Sequence, residues 1–295
     1  MMNRRKHLLS AVVPFAAAFM LEGCLQPISE KSEDDAAGKD KPAYAASVSV
    51  TWNVYSGQGA SGIGAGAVDT AYIVEDDNQA NGSHTVSRWT GPGGFFSSTE
   101  GTAFECDVGQ DVSGGGSVWV IGSDSKVYES HDQGINWNSK GSRTFSEIGA
   151  SSNNSAVWAL GSGFYPGTSD QPIFKWNSGT SNWDSVGGAA IRIEVGPDGT
   201  PWVVNSSHDI YHGNTSGSSF GLFTSQKATD IGVGANGQIW IISNTAVGIH
   251  GDKTILEWDG SSWQEANGGA IRITVDADGD PWIVNGIGST YQGNF

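Results

Sequence analysis

Short runs of alternating apolar and polar residues dominate the second half of the chain. Residues 191–195, IRIEV, are apolar at every second position, and the turn PDG and a second apolar run, WVVN, follow them. Strict alternation predicts a half-buried β-strand, and a glycine-containing turn between two such runs predicts a hairpin. A third run, DIYHG, comes next. The pattern therefore predicts an antiparallel sheet of short strands.

The same pattern returns after 80 residues. The stretch 187–205 matches 268–285, and Trp202 and Trp282 hold corresponding places in the two stretches. Aromatic residues recur at the corresponding place with spacings of 47, 39, 44, 38 and 42 residues. This spacing is typical of β-propellers, in which each unit is one four-stranded sheet. The aromatic residues that mark the six units are Tyr72, Trp119, Trp158, Trp202, Trp240 and Trp282.

The last unit stops at Phe295, directly after its third predicted strand. The missing fourth strand is supplied by residues 47–56, which contain Trp52 and precede the first complete unit. The expected fold is therefore an all-β, six-bladed propeller of four-stranded antiparallel blades, closed by pairing of the N- and C-terminal segments. In the other units the outer strand carries an aromatic residue: Phe95, Trp137, Trp183, Phe220 or Trp263.

The N-terminus is typical of a bacterial lipoprotein signal peptide. A basic start is followed by an apolar stretch, residues 8–21, and by the run LEGC, which resembles a lipobox and ends at Cys24. We expect residues 1–23 to be removed and Cys24 to carry the lipid, which would place the protein in the cell envelope; secretion is the alternative. Residues 24–46 have almost no large apolar residues and are expected to form a disordered tether before the propeller at 47–295.

The repeat motif is similar to the tectonin repeat of the tectonin and tachylectin-like lectins. The similarity is strong in units four to six, weaker in two and three, and poor in the first. It implies a six-bladed propeller that binds sugars; the expectation that the protein is not an enzyme rests on the residues considered below. The residues that carry the resemblance are Ile193, Val195, Gly196, Asp198, Gly199, Trp202, Asn205, Ile210 and Tyr211.

The run SHDQGINW matches the Asp box, S-x-D-x-G-x-x-W, which occurs in sialidases and in other propellers. Its aspartate accepts backbone hydrogen bonds inside a hairpin turn, so we expect Ser130, Asp132, Gly134 and Trp137 to stabilise a turn between the third and fourth strands of the second unit. A sialidase would need three arginines around the substrate carboxylate. Arg192 and Arg272 hold one repeat position and are expected to form ion pairs with neighbouring units.

Candidate ligand-binding residues lie in the turns between the second and third strands. These turns are long in units one, three and five and short in the others, and all of them should open on one rim of a propeller. Sugar sites combine an aromatic face with polar groups. Tolerated insertions are the alternative explanation. The candidates are Asp76, Asn78, His84, Phe164, Tyr165, Asp170, His250 and Asp252.

Net charge narrows the classes of partner. The signal peptide holds three of the 15 basic and one of the 31 acidic residues, so the remainder carries a net charge of −18. Nucleic acid and anionic membranes are therefore excluded as partners, apart from the lipid itself. The histidines show no metal spacing, no nucleophilic triad is recognisable, and Cys106 is expected to be a small buried core residue. No metal or cofactor is expected.

These observations favour a monomeric surface lipoprotein that binds a glycan. A protein-interaction scaffold at the cell surface is the second hypothesis, because the same loops could hold another protein. A degenerate sialidase-like glycoside hydrolase is the third.

Overall fold

The computed structural model describes residues 47–55, 59–66, 70–77, 82–91, 94–110 and 116–294. These residues form β-strands, turns and loops, without any α-helix. Accordingly, no helix in this part of the chain is long and apolar enough to cross a membrane. Cys24, the predicted signal peptide and the predicted tether lie outside the described residues.

Three four-stranded antiparallel sheets form the first half of the described structure. The first unit comprises β3 (Ala60–Gly66), β4 (Thr70–Glu75), β5 (His84–Trp89) and β6 (Phe96–Ala103). The second comprises β7 (Glu105–Gln110), β8 (Gly116–Ile121), β9 (Val127–Ser130) and β10 (Asn138–Ser139). The third comprises β11 (Phe145–Ala150), β12 (Val157–Gly161), β13 (Gln171–Asn177) and β14 (Asn182–Ala190).

A long strand, β18, joins the next two units into one eight-stranded sheet. The fourth unit comprises β15 (Arg192–Val195), β16 (Pro201–Val204), β17 (Asp209–Gly213) and the start of β18 (Phe220–Val233). The fifth comprises the end of β18 with β19 (Ile239–Ala246), β20 (Lys253–Trp258) and β21 (Trp263–Ala270). The sixth comprises β22 (Arg272–Val275), β23 (Pro281–Val284), β24 (Thr290–Asn294) and β2 (Thr51–Tyr55).

Residues from the N-terminal side supply the outer strand of the sixth unit, as the sequence predicted. Strand β2 pairs antiparallel with β24, with Trp52 opposite Gly293. The predicted segment 47–56 is divided between two units, however. Strand β1 (Ser47–Val48) pairs in parallel with β21 of the fifth unit, where Ser47 lies opposite Glu265. The segment therefore bridges two neighbouring units.

The innermost strands lie side by side in the order β3, β7, β11, β15, β18 and β22, and β22 contacts β3. Contacts at successive positions show that neighbouring strands run in the same direction. In β3 and β7, a Cβ atom on Gly64 would lie 2.5 Å from Asp107 Cα and one on Gly66 would lie 2.2 Å from Val108 O. In β18 and β22, Asp230 Oδ2 accepts from Ile273 N–H at 2.9 Å, and a Cβ atom on Gly232 would lie 3.0 Å from Thr274 Cα. Glycine is needed wherever backbones approach so closely. The space between these strands is called the central channel below.

Each unit buries its marker aromatic residue between neighbouring sheets. Trp158 and Trp240 are fully buried, and Cys106 is buried as predicted. Burying one such large side chain stabilises the fold by roughly 1.5–3 kcal/mol. The core is divided into six apolar clusters distributed around the units.

Two kinds of interface alternate around the sheets. The marker tryptophans of the second and sixth units meet an aromatic cross-strand pair of the next odd-numbered unit; for example, Trp282 lies 5.0 Å from Trp89, which pairs with Phe96. In the fourth unit the Phe223 ring lies between, 4.7 Å from Trp202 and 5.0 Å from Trp258. The outer aromatic residue of the first unit is thus Phe96, and the predicted Phe95 was wrong because that side chain is exposed. This two-unit alternation accounts for the 80-residue period. The other two pairs are Trp176 with Trp183 and Trp258 with Trp263.

Candidate ligand-binding face

The shared direction of the innermost strands defines two opposite faces. One face carries the turns between second and third strands and the connections from each fourth strand to the next unit; we call it the loop face. The opposite face carries the first-to-second and third-to-fourth turns; we call it the turn face. On the loop face the second-to-third turns contain eight, nine and six residues in the odd-numbered units and five, four and five in the others. The turns are 76–83, 122–126, 162–170, 205–208, 247–252 and 285–289.

Exposed apolar side chains concentrate on the loop face. Six of the ten large apolar residues that are exposed in the described structure lie there, against two on the turn face, Phe95 and Ile135. Burial in a partner removes such side chains from water, so their concentration on one face favours that face for binding. The six residues are Phe104, Phe164, Tyr165, Ile249, Ile271 and Ile287.

The loop of the third unit displays two aromatic residues on a well-defined turn. Phe164 and Tyr165 are 71% and 52% exposed. The turn is closed by a hydrogen bond from Tyr165 N–H to the Asp170 carbonyl at 2.7 Å. The Asp170 carboxylate in turn accepts a hydrogen bond from Ser206 N–H at 2.5 Å. Asp170 thereby attaches this loop to the fourth unit.

The loop of the fifth unit repeats this geometry. Val247 N–H donates to the Asp252 carbonyl at 2.8 Å, and the Asp252 carboxylate accepts from Gly286 N–H at 2.6 Å. His250 is exposed, and a Cβ atom on Gly286 would lie 1.9 Å from its carbonyl oxygen. Val247 of the fifth unit therefore corresponds to Tyr165 of the third unit, and the fifth-unit loop has no aromatic ring at this position.

The loop of the first unit is organised differently. Asp76 is exposed, and its N–H donates to the Gly59 carbonyl at 2.6 Å. His84 is partly buried, with its ring 6.4 Å from Phe104 in an edge-to-face arrangement and its Nδ1 3.9 Å from Asp77 Oδ1. Asn78 lies outside the described residues.

The structure therefore places seven of the eight candidates on one face, in three separate loops. Asp170 and Asp252 each already hold a backbone N–H of the neighbouring unit, so they fix the loops in place. Asp76, Phe164, Tyr165 and His250 are the candidates that are exposed.

A ring of charged residues, not recognised as a group from the sequence, lines the loop-face end of the central channel. Arg192 Nη1 lies 3.2 Å from Glu147 Oε2, and its Nε lies 3.5 Å from Asp230 Oδ1. Arg272 Nη2 lies 3.2 Å from Glu105 Oε2. The expected ion pairs with neighbouring units are therefore confirmed for Arg192. The expectation was wrong for Arg272, which reaches across the channel to the second and third units because carboxylates at the same repeat position point into that shared space. Glu105, Glu147 and Asp230 occupy the same repeat position as the two arginines. This shared position is the sequence signal from which the charged ring could have been recognised.

Two further carboxyl groups lie one step deeper in the channel, Asp107 and Glu194. Burial raises the pKa of Asp107 to about 8, and repulsion from Glu105 adds to that effect. Burial and the nearby Asp107 raise the pKa of Glu194. The cavity between these side chains is about 30 Å³, which holds one or two water molecules.

On the turn face, the carboxylates of Asp132, Asp198 and Asp259 accept hydrogen bonds within their own turns. In the Asp box, Asp132 accepts hydrogen bonds from Asn136 N–H at 2.8 Å and from the Ser130 hydroxyl at 2.8 Å. Gly134 adopts a positive φ of 86°, and Trp137 packs on Gly101 of the first unit. The motif lies between β9 and β10, as predicted, and stabilises the turn. In the described residues, no group of three or more His, Cys, Asp or Glu side chains could hold a metal ion.

Comparison with known proteins places the chain among propeller-like all-β proteins. No family model matches it. A segment of 39 residues is 49% identical to Tectonin-2 of Physarum polycephalum, which covers 13% of this chain and 10% of that protein. A structural genomics protein of unknown function from Bacteroides thetaiotaomicron superimposes over 80% of this chain and 69% of its own, with 11% identity and a TM-score of 0.57.

A second solved structure, YCF48 from Cyanidioschyzon merolae, matches 82% of this chain and 98% of its own, with 10% identity and a TM-score of 0.52. At such identities the likeness concerns the fold alone. The partial match to Tectonin-2 supports a tectonin-like propeller.

Proposed function

We propose that this chain is a closed, six-bladed, tectonin-like propeller that binds carbohydrate at its loop face and performs no catalysis. The six units would be the blades. Pairing of β2 with β24 and contact of β22 with β3 support closure of the ring. The partial similarity to Tectonin-2 supports the tectonin-like assignment.

The observation that carries the proposal is the exposed pair Phe164 and Tyr165. Aromatic rings bind the C–H face of a sugar, and a preformed turn reduces the entropy lost on binding. The two hydrogen bonds made by Asp170 hold this turn against the fourth unit. A neighbouring polar group on the same turn, the hydroxyl of the exposed Ser169, would contact sugar hydroxyls.

A glycan array tests this proposal. The protein used is the full chain with the substitution Cys24→Ser, which prevents lipid attachment. It should bind a defined set of glycans. Phe164→Ala with Tyr165→Ala should reduce that binding at least tenfold, and His250→Ala should weaken it if the fifth unit also contacts the ligand. Phe95→Ala is the matched control, because Phe95 is 64% exposed on the turn face. Equal binding by the loop variant and the control would refute the site.

A protein partner is the second candidate, because three of the exposed apolar residues on the loop face are aliphatic. Ile249 is 89% exposed, and Ile271 and Ile287 are exposed in the same region of the fifth and sixth units. Branched aliphatic side chains bury well in protein interfaces and offer no flat ring for a sugar. Cross-linking to purified envelope proteins should be lost with Ile249→Asp and retained with Leu222→Asp, a change at an exposed outer strand.

The absence of catalysis is part of the proposal. Arg192 and Arg272 are held in ion pairs, and the Arg143 guanidinium stacks on Phe174 at 4.4 Å, so these three groups do not converge on one substrate carboxylate. Hydrolysis of sialosides by the purified protein would favour the glycoside hydrolase alternative.

The proposed location is the cell envelope, with the lipid on Cys24. Ser47 lies opposite Glu265, close to the third-to-fourth turn at 259–262, so the chain joins the folded part near the turn face. A tether attached there would leave the loop face, on the opposite side, accessible to a ligand. Anchoring and ligand binding would then use opposite faces.

A further inference from the structure

The central channel holds more negative than positive groups. Five carboxyl side chains line it, all of them buried, and two arginines lie among them. Three carboxylates are held by the arginines, since Arg192 contacts Glu147 and Asp230 while Arg272 contacts Glu105 and Glu147. Two carboxyl groups remain without such a contact.

Among the residues that the structure describes, Asp107 and Glu194 accept hydrogen bonds from backbone N–H groups and from no side chain. Asp107 Oδ2 accepts from Ala150 N–H at 2.6 Å, and Glu194 Oε1 accepts from Val195 N–H at 2.7 Å. Within the described parts of the chain, neither carboxyl group pairs with a lysine or arginine. An ionised carboxylate in that position would lack compensation for its lost hydration.

No strand around the channel brings a further positive charge. Strand β3 contributes Ile63 and glycines there, and β22 contributes Arg272 and Thr274. The titratable and charged groups that face the pair from all six strands are Glu105 and Cys106 on β7, Glu147 on β11, Arg192 on β15, Asp230 on β18 and Arg272 on β22.

We propose that Asp107 and Glu194 form a proton-binding pair, so that the ring of innermost strands takes up protons when it folds and is most stable in mildly acidic surroundings. Each carboxyl group keeps its proton to a higher pH in the folded chain than in the unfolded chain. The protonated oxygens donate to water in the cavity between them. This role is independent of any ligand on the loop face.

The direction of the pH dependence follows from the raised pKa values. Asp107 has a pKa of about 8 in the fold and an ordinary value of 3.8, and burial likewise raises the pKa of Glu194 well above its ordinary value of 4.5. The stability from these protons is fully present below about pH 4 and is lost as the pH rises to about 8. Asp132 acts in the opposite sense, because its pKa of about 2 makes its contribution disappear below pH 4. Protons on the pair therefore stabilise the fold most in mildly acidic surroundings.

Thermal unfolding of the full chain with Cys24→Ser between pH 4.5 and 8.5 tests the proposal. The Tm should be highest at the acidic end and fall by several degrees toward pH 8.5. The double variant Asp107→Asn with Glu194→Gln keeps both oxygen acceptors and mimics the protonated groups. Its Tm should depend much less on pH, with the difference from the parent greatest at alkaline pH. Histidine titration affects parent and variant alike, so the comparison isolates the pair.

Glu100→Gln is the matched control, because Glu100 is an exposed carboxylate on outer strand β6. It should leave the slope of Tm against pH unchanged. A parent Tm that does not fall between pH 5 and pH 8 overturns the proposal, as does a double variant with an unchanged slope. If the double variant does not fold, the infrared carbonyl band of protonated carboxyl groups in the parent at pH 7 decides the question, since its absence contradicts the proposal.

Discussion

Asn267 pairs with the backbone of Val50 through both ends of its amide. Its Oδ1 accepts from Val50 N–H at 2.8 Å, and its Nδ2 donates to the Val50 carbonyl at 3.1 Å. The Trp52 indole also donates to the Asn267 carbonyl at 2.8 Å. One side chain of the fifth unit thus holds the segment that completes the sixth, although 217 residues separate the partners.

Replacing Asn267 with Ala should destabilise the protein by about 1–3 kcal/mol, because the buried Val50 N–H would lose its acceptor. Urea unfolding followed by tryptophan fluorescence measures this change. Deletion of residues 47–55 should cost more, and Asn267→Ala should then add little, since the two changes remove one interaction. Asn244→Ala, at an exposed position of β19, is the control. Additive losses in the combined variant would contradict this account.

The Asp box should contribute stability in a defined pH range. Hydrogen bonds from Asn136 and Ser130 lower the pKa of Asp132 to about 2, below its ordinary value of 3.8. Its contribution is therefore present above pH 4 and lost as the pH falls toward 2. Asp132→Ala should lower the Tm at pH 7, and parent and variant should converge near pH 2. Asp76→Ala, at an exposed loop residue, should have no effect at either pH; a parallel loss there would make the assignment untenable.

Lipid attachment at Cys24 remains a prediction from the sequence. Cys24→Ser should leave the protein unprocessed or released from the membrane fraction, because acylation requires that thiol. Cys106→Ser should remain anchored, since Cys106 is buried on β7. Mass spectrometry of the mature N-terminus provides the measurement, and an unmodified residue beyond Cys24 would show that the anchor is wrong.

The repeat predicts strand positions well because the signal is local. The alternation around Ile193 and the turn at Gly199 depend on neighbouring residues only. The repeat position of Trp202 holds a buried aromatic residue in every unit. The channel charges could not be recognised in this way. Whether Glu105 meets Arg272 depends on which strands adjoin across the ring and on Gly62, where a Cβ atom would lie 2.9 Å from Glu105 Oε1.

Contacts between units also explain why the role of two loop aspartates could not be predicted from the sequence. Asp170 and Asp252 are polar residues in long loops, which favours a ligand-binding role when only the sequence is considered. Their hydrogen-bond donors, Ser206 and Gly286, lie 36 and 34 residues away and become neighbours only when adjacent units pack. Exposure of Phe164 and Tyr165, by contrast, follows from their place at the tip of a polar turn.

In the third unit, Asp170 should stabilise the fold, whereas Tyr165 should contact the ligand. Asp170→Ala should destabilise the protein by about 1 kcal/mol, because the Ser206 N–H would lose its acceptor and the turn would detach from the fourth unit. Asp170→Asn should retain most of the stability, since an amide oxygen can still accept that hydrogen bond. Tyr165→Ala should leave the Tm unchanged because the side chain is exposed, yet it should weaken glycan binding. Differential scanning calorimetry and binding measurements on the same three variants provide the comparison. If Asp170→Ala left the Tm unchanged but abolished binding, Asp170 would be a direct ligand contact and its hydrogen bond to Ser206 would be dispensable for the fold.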